Sequence, residues 1–221
     1  MIKCNKLTVG EGDQTILKNI QFEIPSGKVG VLLTLDEQGK QTLLNCINEN
    51  QSYIGDVNKG NENDRVSYYK KLPMVCNDLT GFEYLEMLLA MNTSIHTESV
   101  WDLVKSLGID YELNVSIKKV SLYTNHCLIL LASLILDNDI ILIDEPFYGV
   151  DRESQKNIIK IINNLKEKGK TILISTNIIR FGFEIGDELL IMTKGKLKQV
   201  NNLFKSIKQY EINVMPLLMG S

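Results

Sequence analysis

The hydrophobic pattern of the chain contains three short stretches that are apolar at nearly every position. Residues 140–143 are Ile, Ile, Leu and Ile, and similar runs occur within residues 28–35 and 170–176. Continuous apolar runs of this length predict strands that are buried on both faces, as in the middle of a parallel sheet. The pattern therefore predicts an α/β fold that is built on a core sheet.

Segments with helical patterns lie between these strands in the sequence. Residues 152–168 place four aliphatic side chains on one face and are followed by Gly169, which predicts a helix with a glycine C-cap. Amphipathic helices are predicted after Thr80 and around Trp101. The apolar residues 127–136 predict a buried helix.

Two further patterns, near the two ends of the chain, predict hairpins. Residues 2–9 and 16–24 flank a polar turn, and residues 189–200 flank a Lys-Gly-Lys turn. The residues from Asn201 onwards contain no motif that predicts an element.

Composition and charge narrow the range of functions. The chain has 221 residues, of which 44% are hydrophobic and 23% charged, as expected for one compact domain or two fused subdomains. The net charge of -3 argues against a nucleic-acid-binding protein, which normally presents a basic face. No apolar run approaches the roughly 18 residues that span a bilayer, and the N-terminal residues lack the apolar core of a signal peptide. Any association with a membrane is therefore expected to depend on a partner.

The four cysteines predict neither a zinc site nor a disulfide framework. Cys4, Cys46, Cys76 and Cys127 are far apart in the sequence, and no pair has the C-x-x-C spacing. A reducing cytoplasm is the simplest setting for such a chain.

Two carboxylates follow the buried strand at residues 140–143. Asp144 and Glu145 stand at its C-terminal end, where open α/β sheets form their ligand crevice. They predict a bound metal ion, an activated water, or both. The alternative is a core strand that ends in a solvated acidic turn. Pro146 and the Gly-x-Asp at residues 149–151 favour the functional interpretation.

The strand within residues 28–35 leads into a second motif. A loop that contains Gly39 and Lys40 follows this strand and enters a predicted helix. A strand, a Gly-Lys loop and a helix in this order are the layout of a phosphate-binding loop.

Together these motifs resemble the ATP-binding cassette (ABC) family, the nucleotide-binding subunits of ABC transporters. Residues 140–145 resemble its Walker B strand with the catalytic Glu, and residues 149–151 its D-loop. The resemblance implies a P-loop NTPase fold of the ABC type, with a mixed or parallel core sheet, an antiparallel β subdomain and an inserted α-helical subdomain. Residues 1–221 would then form one nucleotide-binding domain, with the helical subdomain at about residues 71–136 and the core and β subdomain on either side, at about 1–70 and 137–221.

The resemblance also implies the site residues. Glu145 corresponds to the catalytic residue, and Asp144 and Gln41 correspond to ligands of Mg²⁺. Lys71, Ser121 and Asn177 stand where the family has its γ-phosphate sensor, its signature serine and its switch histidine. The phosphate loop for ATP corresponds to nine successive residues: Thr34, Leu35, Asp36, Glu37, Gln38, Gly39, Lys40, Gln41 and Thr42.

Several loop positions depart from the family's pattern. Thr34 and Glu37 replace glycines, and Glu37 brings a carboxylate to the place of the phosphates, where like charges about 4 Å apart repel by roughly 1 to 4 kcal/mol. Gln41 replaces a Ser or Thr and fits the small octahedral shell of magnesium less well. Lys40 has two interpretations: it contacts the β- and γ-phosphates, or it forms an ion pair with Asp144 or Glu37 in an empty site.

The signature region and the adenine side also depart from the family's pattern. Residues 120–124 stand in place of the family's Leu-Ser-Gly-Gly-Gln, so that Leu122 and Tyr123 replace the glycines that let the γ-phosphate approach, while Ser121 can still cap its helix. Glu11 stands where the family usually has an aromatic ring for the base. Each site of an ABC dimer combines the phosphate loop of one chain with the signature of the other. This chain would therefore weaken both sites of any dimer that it joins.

Three functions remain as hypotheses. The first is a cytoplasmic subunit of an ABC transporter that is peripheral on the inner face of the cell membrane through a membrane-spanning partner, which docks near residues 71–85. It would form a homo- or heterodimer with a second cassette and bind ATP and Mg²⁺ weakly or not at all, with weak or absent hydrolysis. The second is a pseudo-ATPase, a scaffold or regulator that keeps the fold without productive nucleotide binding. The third, a soluble ABC-type protein in translation or repair, is disfavoured because such proteins usually carry two cassettes or large insertions.

Overall fold

The computed structural model describes residues 1–12, 14–61, 64–69, 78–92 and 97–219, without the side chain of Glu11. Its strands form two sheets. The order in the three-stranded antiparallel sheet is β2-β1-β4, and the order in the six-stranded sheet is β5-β6-β7-β3-β8-β9. The strands are β1 (Ile2–Glu11), β2 (Gln14–Ile24), β3 (Val29–Thr34), β4 (Ile54–Asn58), β5 (Val66–Tyr69), β6 (Ile140–Asp144), β7 (Thr171–Thr176), β8 (Glu188–Thr193) and β9 (Lys196–Asn201).

The middle of the six-stranded sheet confirms the prediction from the three apolar runs. β3, β6 and β7 are buried at every position and run parallel, and the hairpin partner β9 joins antiparallel at one edge. The fold is the mixed α/β architecture that the pattern predicted. β7 lies between the other two strands, so it connects the phosphate-loop strand to the strand that ends in the acids.

The register of these strands brings the predicted site residues to one edge. Asp144 on β6 is opposite Ser175 on β7, and Thr176 on β7 is opposite Leu33 on β3. The loop that begins at Thr34 and the carboxylates that begin at Asp144 therefore leave the same edge of the sheet, on either side of the end of β7.

Helices cover both faces of this sheet. They are α1 (Glu37–Ile47), α2 (Gly81–Met91), α3 (Thr97–Leu107), α4 (Leu122–Ile135), α5 (Arg152–Glu167), α6 (Ile179–Ile185) and α7 (Ile207–Met219). One hydrophobic cluster joins α1 and the antiparallel sheet to one face through residues such as Leu32, Leu142 and Leu190. The other face packs against α2 to α7 through alternate positions of the same strands, such as Leu33 and Ile143.

The C-terminal helix α7 has no counterpart in the sequence analysis. It buries Tyr210, Val214 and Leu218, which are four residues apart and share one face. The hydroxyl of Tyr210 donates a hydrogen bond to the carbonyl of Ile179 at 2.7 Å. A Cβ at Gly182 would lie 2.1 Å from that hydroxyl, so glycine is needed there to admit the ring.

Candidate functional site

The ammonium group of Lys40 is the centre of the candidate site. Its side chain is 1% exposed, and Nζ lies 2.8 Å from Oε2 of Glu37, 3.0 Å from Oδ1 of Asp144 and 3.9 Å from Oε1 of Glu145. Of the two interpretations of Lys40, this conformation shows the ion pair, and it pairs the lysine with both of the acids named there. One buried cation is thus surrounded by three carboxylates.

These contacts set the protonation of Lys40. Burial lowers the pKa of the ammonium, but the hydrogen bonds and charges of Glu37 and Asp144 outweigh burial and raise the pKa above its usual value. Lys40 is therefore a cation at neutral pH. Tyr68 stands nearby on β5, where burial first and the charge of Asp144 second raise the pKa of its phenol.

The side chain of Asp36 caps the N-terminus of α1. Its Oδ1 accepts the N–H of Gly39 at 2.9 Å, and its carbonyl accepts the N–H of Lys40 at 2.9 Å. Its Oδ2 accepts the N–H of Gly195 in the β8–β9 turn, also at 2.9 Å. In a phosphate loop, backbone N–H groups at a helix N-terminus bind the anion. Here a side-chain carboxylate and an ordinary helical hydrogen bond engage two of them.

Gly39 is required by this arrangement. A Cβ at residue 39 would lie 2.7 Å from Oδ2 of Asp36 and 3.0 Å from the sulfur of Met192. The glycine therefore serves the close approach of the cap. Thr34, at the start of the loop, donates its hydroxyl to the carbonyl of Met192 at 2.9 Å and accepts the N–H of Asp36 at 2.9 Å.

The remaining loop residues are either exposed or buried in the core. Leu35, Gln38 and Gln41 are exposed, and Leu35 has 62% of its surface accessible. Thr42 is buried one position further along α1. The predicted magnesium ligand Gln41 is thus exposed on α1, whereas Asp144 is buried.

Asp144 and Glu145 are both held by β7. The hydroxyl of Ser175 donates to Oδ1 of Asp144 at 2.6 Å, and the hydroxyl of Thr176 donates to Oε2 of Glu145 at 3.2 Å. Glu145 adopts a φ of 52°, a left-handed conformation that is unfavourable for a side chain with a Cβ. Sequence analysis assigned no role at the site to Ser175 or Thr176, although both end a predicted buried strand.

Residues 120–124, which are predicted to stand in place of the family's signature, pack against neighbouring helices. Ser121 caps α4 by accepting the N–H of Thr124 at 3.1 Å, as expected from its residue type. The hydroxyl of Tyr123 donates to the carbonyl of Leu107 at 2.9 Å and accepts from the amide of Asn157 at 3.2 Å. Tyr123 therefore ties α4 to the end of α3 and to α5.

Three predicted positions remain, at Asn177, Lys71 and Glu11. Asn177 is exposed after β7. Lys71 lies outside the described residues, as does the side chain of Glu11. Sequence analysis missed Gln155, which donates its amide to the carbonyls of Phe147 and Val150 at 3.3 and 3.1 Å and accepts from Arg180. This contact links the loop at residues 149–151 to the segment after Asn177.

The residues in this conformation do not fit a tightly held magnesium triphosphate. The N–H of Gly39 is engaged by Asp36, and the carboxylate of Glu37 lies on Lys40. Among the described residues, no cluster of three or more acidic, histidine or cysteine side chains could hold a metal ion. A nucleotide would have to displace the contacts of Asp36 and Glu37 before the loop could hold its phosphates.

Comparisons with known proteins agree with the fold. No family model matches the chain. An ATP-binding subunit of an ABC transporter has a similar structure, with a TM-score of 0.81, 18% identity and coverage of 97% of this chain and 99% of the other. An ATP-binding cassette in a post-hydrolysis dimer with ADP and phosphate has a TM-score of 0.74 and 19% identity, and covers 92% of this chain and 100% of the other. No helix in the described part of the chain is long and apolar enough to cross a membrane.

Curated relatives show the family. The arginine transport ATP-binding protein ArtM of Bacillus subtilis is 26% identical over an alignment of 220 residues that covers 91% of each chain. An uncharacterized ABC transporter ATP-binding protein of Methanocaldococcus jannaschii is 30% identical over an alignment of 199 residues that covers 88% of this chain and 75% of the relative. This chain belongs to the family of ABC transporter ATP-binding proteins.

Proposed function

We propose that this chain is a transporter subunit in which the nucleotide site has been weakened by its own side chains. It docks on a membrane-spanning partner at the inner face of the cell membrane and dimerises with a second cassette. It binds ATP with Mg²⁺ weakly, and hydrolysis by this chain alone is weak or absent. Residues 71–136 act as the helical subdomain, and the flanking residues 1–70 and 137–221 act as the core and β subdomain.

The observation that carries this proposal is the buried cation at the centre of the site. Lys40 is paired with Glu37 at 2.8 Å and with Asp144 at 3.0 Å, so its charge is already compensated. A triphosphate must compete with Glu37 for this lysine and with Asp36 for the N–H of Gly39. Both competitions make the affinity for nucleotide lower than in a loop that has glycine in place of Glu37 and a lysine without an ion pair.

A groove in the helical region supports the docking part of the proposal. Phe82 on α2 stacks on Trp101 on α3 with their ring centroids 5.0 Å apart, and 40% of the surface of Phe82 remains accessible. These rings line a cavity of about 430 Å³ that also contains Lys105 and Asp110. Exposed aromatic side chains in a concave surface are typical anchors of protein interfaces. This groove is the proposed docking surface for the membrane-spanning partner.

A second candidate is a scaffold without productive nucleotide binding. The cap of Asp36 favours it, because this one carboxylate joins Gly39 in the loop to Gly195 in the β8–β9 turn and so stabilises the loop without any ligand. The same fold and the same membrane partner would serve this function. The two candidates differ in whether ATP binds at all.

A titration separates the two candidates. A fluorescent ATP analogue with Mg²⁺ is added to the wild-type chain, to Lys40→Ala and to the matched surface variant Lys156→Ala. Weak saturable binding that is lost in Lys40→Ala and kept in Lys156→Ala supports the weakened ATP-binding subunit. Absence of saturable binding below millimolar nucleotide supports the scaffold. Turnover by the isolated chain at the roughly 10 per second that is typical of enzymes contradicts both.

Because Lys40 is buried, Lys40→Ala is first checked for folding by circular dichroism. Gln41→Ala is the second variant, since Gln41 is exposed on α1 and its loss does not disturb the core. Binding that depends on Mg²⁺ and is weakened by Gln41→Ala supports a site at this loop. Co-purification of the chain with a membrane protein, abolished by Phe82→Glu but not by Tyr111→Glu at another exposed aromatic position, tests the docking surface.

A further inference from the structure

A second concave surface lies between the β8–β9 hairpin and the end of α7. It encloses about 480 Å³, within the range of small-molecule sites. Four lysines line it: Lys18, Lys194, Lys196 and Lys198. We call this surface the lysine groove. None of its lining residues belongs to the loop at residues 34–42.

The charge of the lysine groove is not compensated within the described part of the chain. None of the four lysines belongs to an ion pair there, whereas eight other lysines of the described residues do. The whole chain carries a net charge of -3, yet residues 194–221 contain five lysines and a single acidic residue, Glu211. Positive charge is therefore concentrated at this end of an acidic protein.

The register of the hairpin places two of the lysines on one face. Lys196 is opposite Thr193 and Lys198 is opposite Ile191, so these four side chains share one face of the β8–β9 pair. The end of α7 packs on this face, where the hydroxyl of Thr193 donates to the carbonyl of Leu217 at 3.2 Å. Two lysines therefore stand beside the helix.

The groove also has an apolar side. Ile191, Leu197 and Leu217 line it together with the lysines. A cavity with several cations and an apolar wall is suited to a ligand that carries clustered negative charge, with or without a ring system attached. Lysine ammonium groups bind phosphate as point charges and tolerate several orientations.

We propose that the lysine groove is an anion site that binds a small polyphosphate, either a nucleoside triphosphate or an inorganic polyphosphate chain. The chain of phosphates lies along the lysines. In a nucleoside triphosphate the base lies on Leu217 and its apolar neighbours. The site is separate from the phosphate loop and does not depend on the proposed function.

The lysine groove and the phosphate loop are nevertheless neighbours. Lys194 and Lys196 flank Gly195, whose N–H donates to Oδ2 of Asp36 at 2.9 Å. The same anion could bind at either place, so variants of each place are needed to distinguish the two.

The test is calorimetry of the full chain with inorganic tripolyphosphate in the presence of EDTA. The groove variant is Lys196→Gln with Lys198→Gln, and the control is Lys118→Gln with Lys119→Gln, which removes the same charge from another exposed surface. We expect the Kd to rise about tenfold or more in the groove variant and to stay unchanged in the control. Equal weakening in both variants, no weakening in the groove variant, or no saturable binding to the wild-type chain overturns the proposal.

A second arm separates the groove from the phosphate loop. Tripolyphosphate should still bind to Lys40→Met, because Lys40 is buried and does not line the groove. If binding is lost in Lys40→Met and survives in the groove variant, the anion occupies the phosphate loop and the proposal is wrong.

Titration with ATP then identifies the ligand within the proposed class. Tighter binding than tripolyphosphate that is lost in Leu217→Ser supports a nucleoside triphosphate, and equal affinities support the phosphate chain alone.

Discussion

Nζ of Lys40 lies 3.0 Å from Oδ1 of Asp144, so the lysine of the phosphate loop is joined directly to the acid at the end of β6. Lys40 lies on α1, which follows β3, and Asp144 ends β6; β7 separates these two strands, and both side chains are almost completely buried. Glu37 and Glu145 complete the surroundings of the ammonium. This cluster makes the candidate site part of the folded core.

The first prediction concerns the stability of this cluster. Lys40→Met should lower the free energy of unfolding by about 3 to 5 kcal/mol, because it leaves Asp144 and Glu145 buried without their cation. The change is measured by urea denaturation. Lys156→Met serves as the control, since Lys156 pairs with Glu153 on the exposed side of α5. Equal effects of the two substitutions would show that the buried pair is not structural.

The second prediction concerns the cap of α1. Asp36→Ala should lower the free energy of unfolding by about 1 kcal/mol through loss of the cap. It should also raise the affinity for ATP, because the N–H of Gly39 becomes available. Thermal denaturation and nucleotide titration measure the two effects.

A matched cap elsewhere in the chain controls this experiment. Thr80 caps α2 by accepting the N–H of Glu83 at 3.2 Å. Thr80→Ala should reduce stability but leave nucleotide affinity unchanged. If Asp36→Ala also leaves the affinity unchanged, Asp36 does not compete with the nucleotide.

Part of this arrangement could be predicted from the sequence, and part could not. Strands β3, β6 and β7 were predictable because burial on both faces requires continuous apolar residues. The cap of Asp36 was missed although aspartate before a helix is a standard signal, because the resemblance assigned this residue to a phosphate loop. Its third bond, to Gly195, joins residues 159 positions apart and has no local signal.

The C-terminal helix shows a different limit. Apolar residues off the buried face, such as Ile212 and Met215, blur the helical periodicity of Tyr210, Val214 and Leu218, and Pro216 argues against a helix at that point. Packing on the sheet outweighs this local preference. Leu217 on this helix forms part of the wall of the lysine groove, and sequence patterns did not predict this wall.

The third prediction concerns Tyr123. Tyr123→Phe should lower the free energy of unfolding by about 1 kcal/mol, because its hydroxyl bonds to Leu107 and Asn157 are lost. A double-mutant cycle with Asn157→Ala should give a coupling energy of the same order. Additive effects in the cycle would indicate that the hydroxyl and the amide do not interact.

The fourth prediction concerns acid stability at Asp187. Burial raises the pKa of this carboxyl, but hydrogen bonds from Lys166 and the N–H of Val29 outweigh burial and hold the pKa below its usual value of 3.8. As the pH falls, the unfolded chain therefore takes up this proton first. The contribution of Asp187 to stability is complete above about pH 3.8 and is lost as the pH falls through the folded-state pKa.

Asp187→Asn tests this dependence. The variant should be less stable than the wild-type chain at pH 7 by about 1 to 2 kcal/mol, since hydrogen bonds to a charged group are lost. The difference between the two proteins should shrink as the pH is lowered below 3.8. A difference that stays constant between pH 7 and pH 3 contradicts the assignment.

The measurement that tests the central claim most directly is the affinity for magnesium ATP of Glu37→Gly combined with Gln41→Thr. These substitutions remove the carboxylate from Lys40 and return a hydroxyl to the position of the predicted metal ligand. Removing a repulsion of roughly 1 to 4 kcal/mol predicts at least an approximately fivefold tighter Kd than for the wild-type chain. An unchanged Kd in the folded double variant, or tight binding by the wild-type chain, would contradict the account.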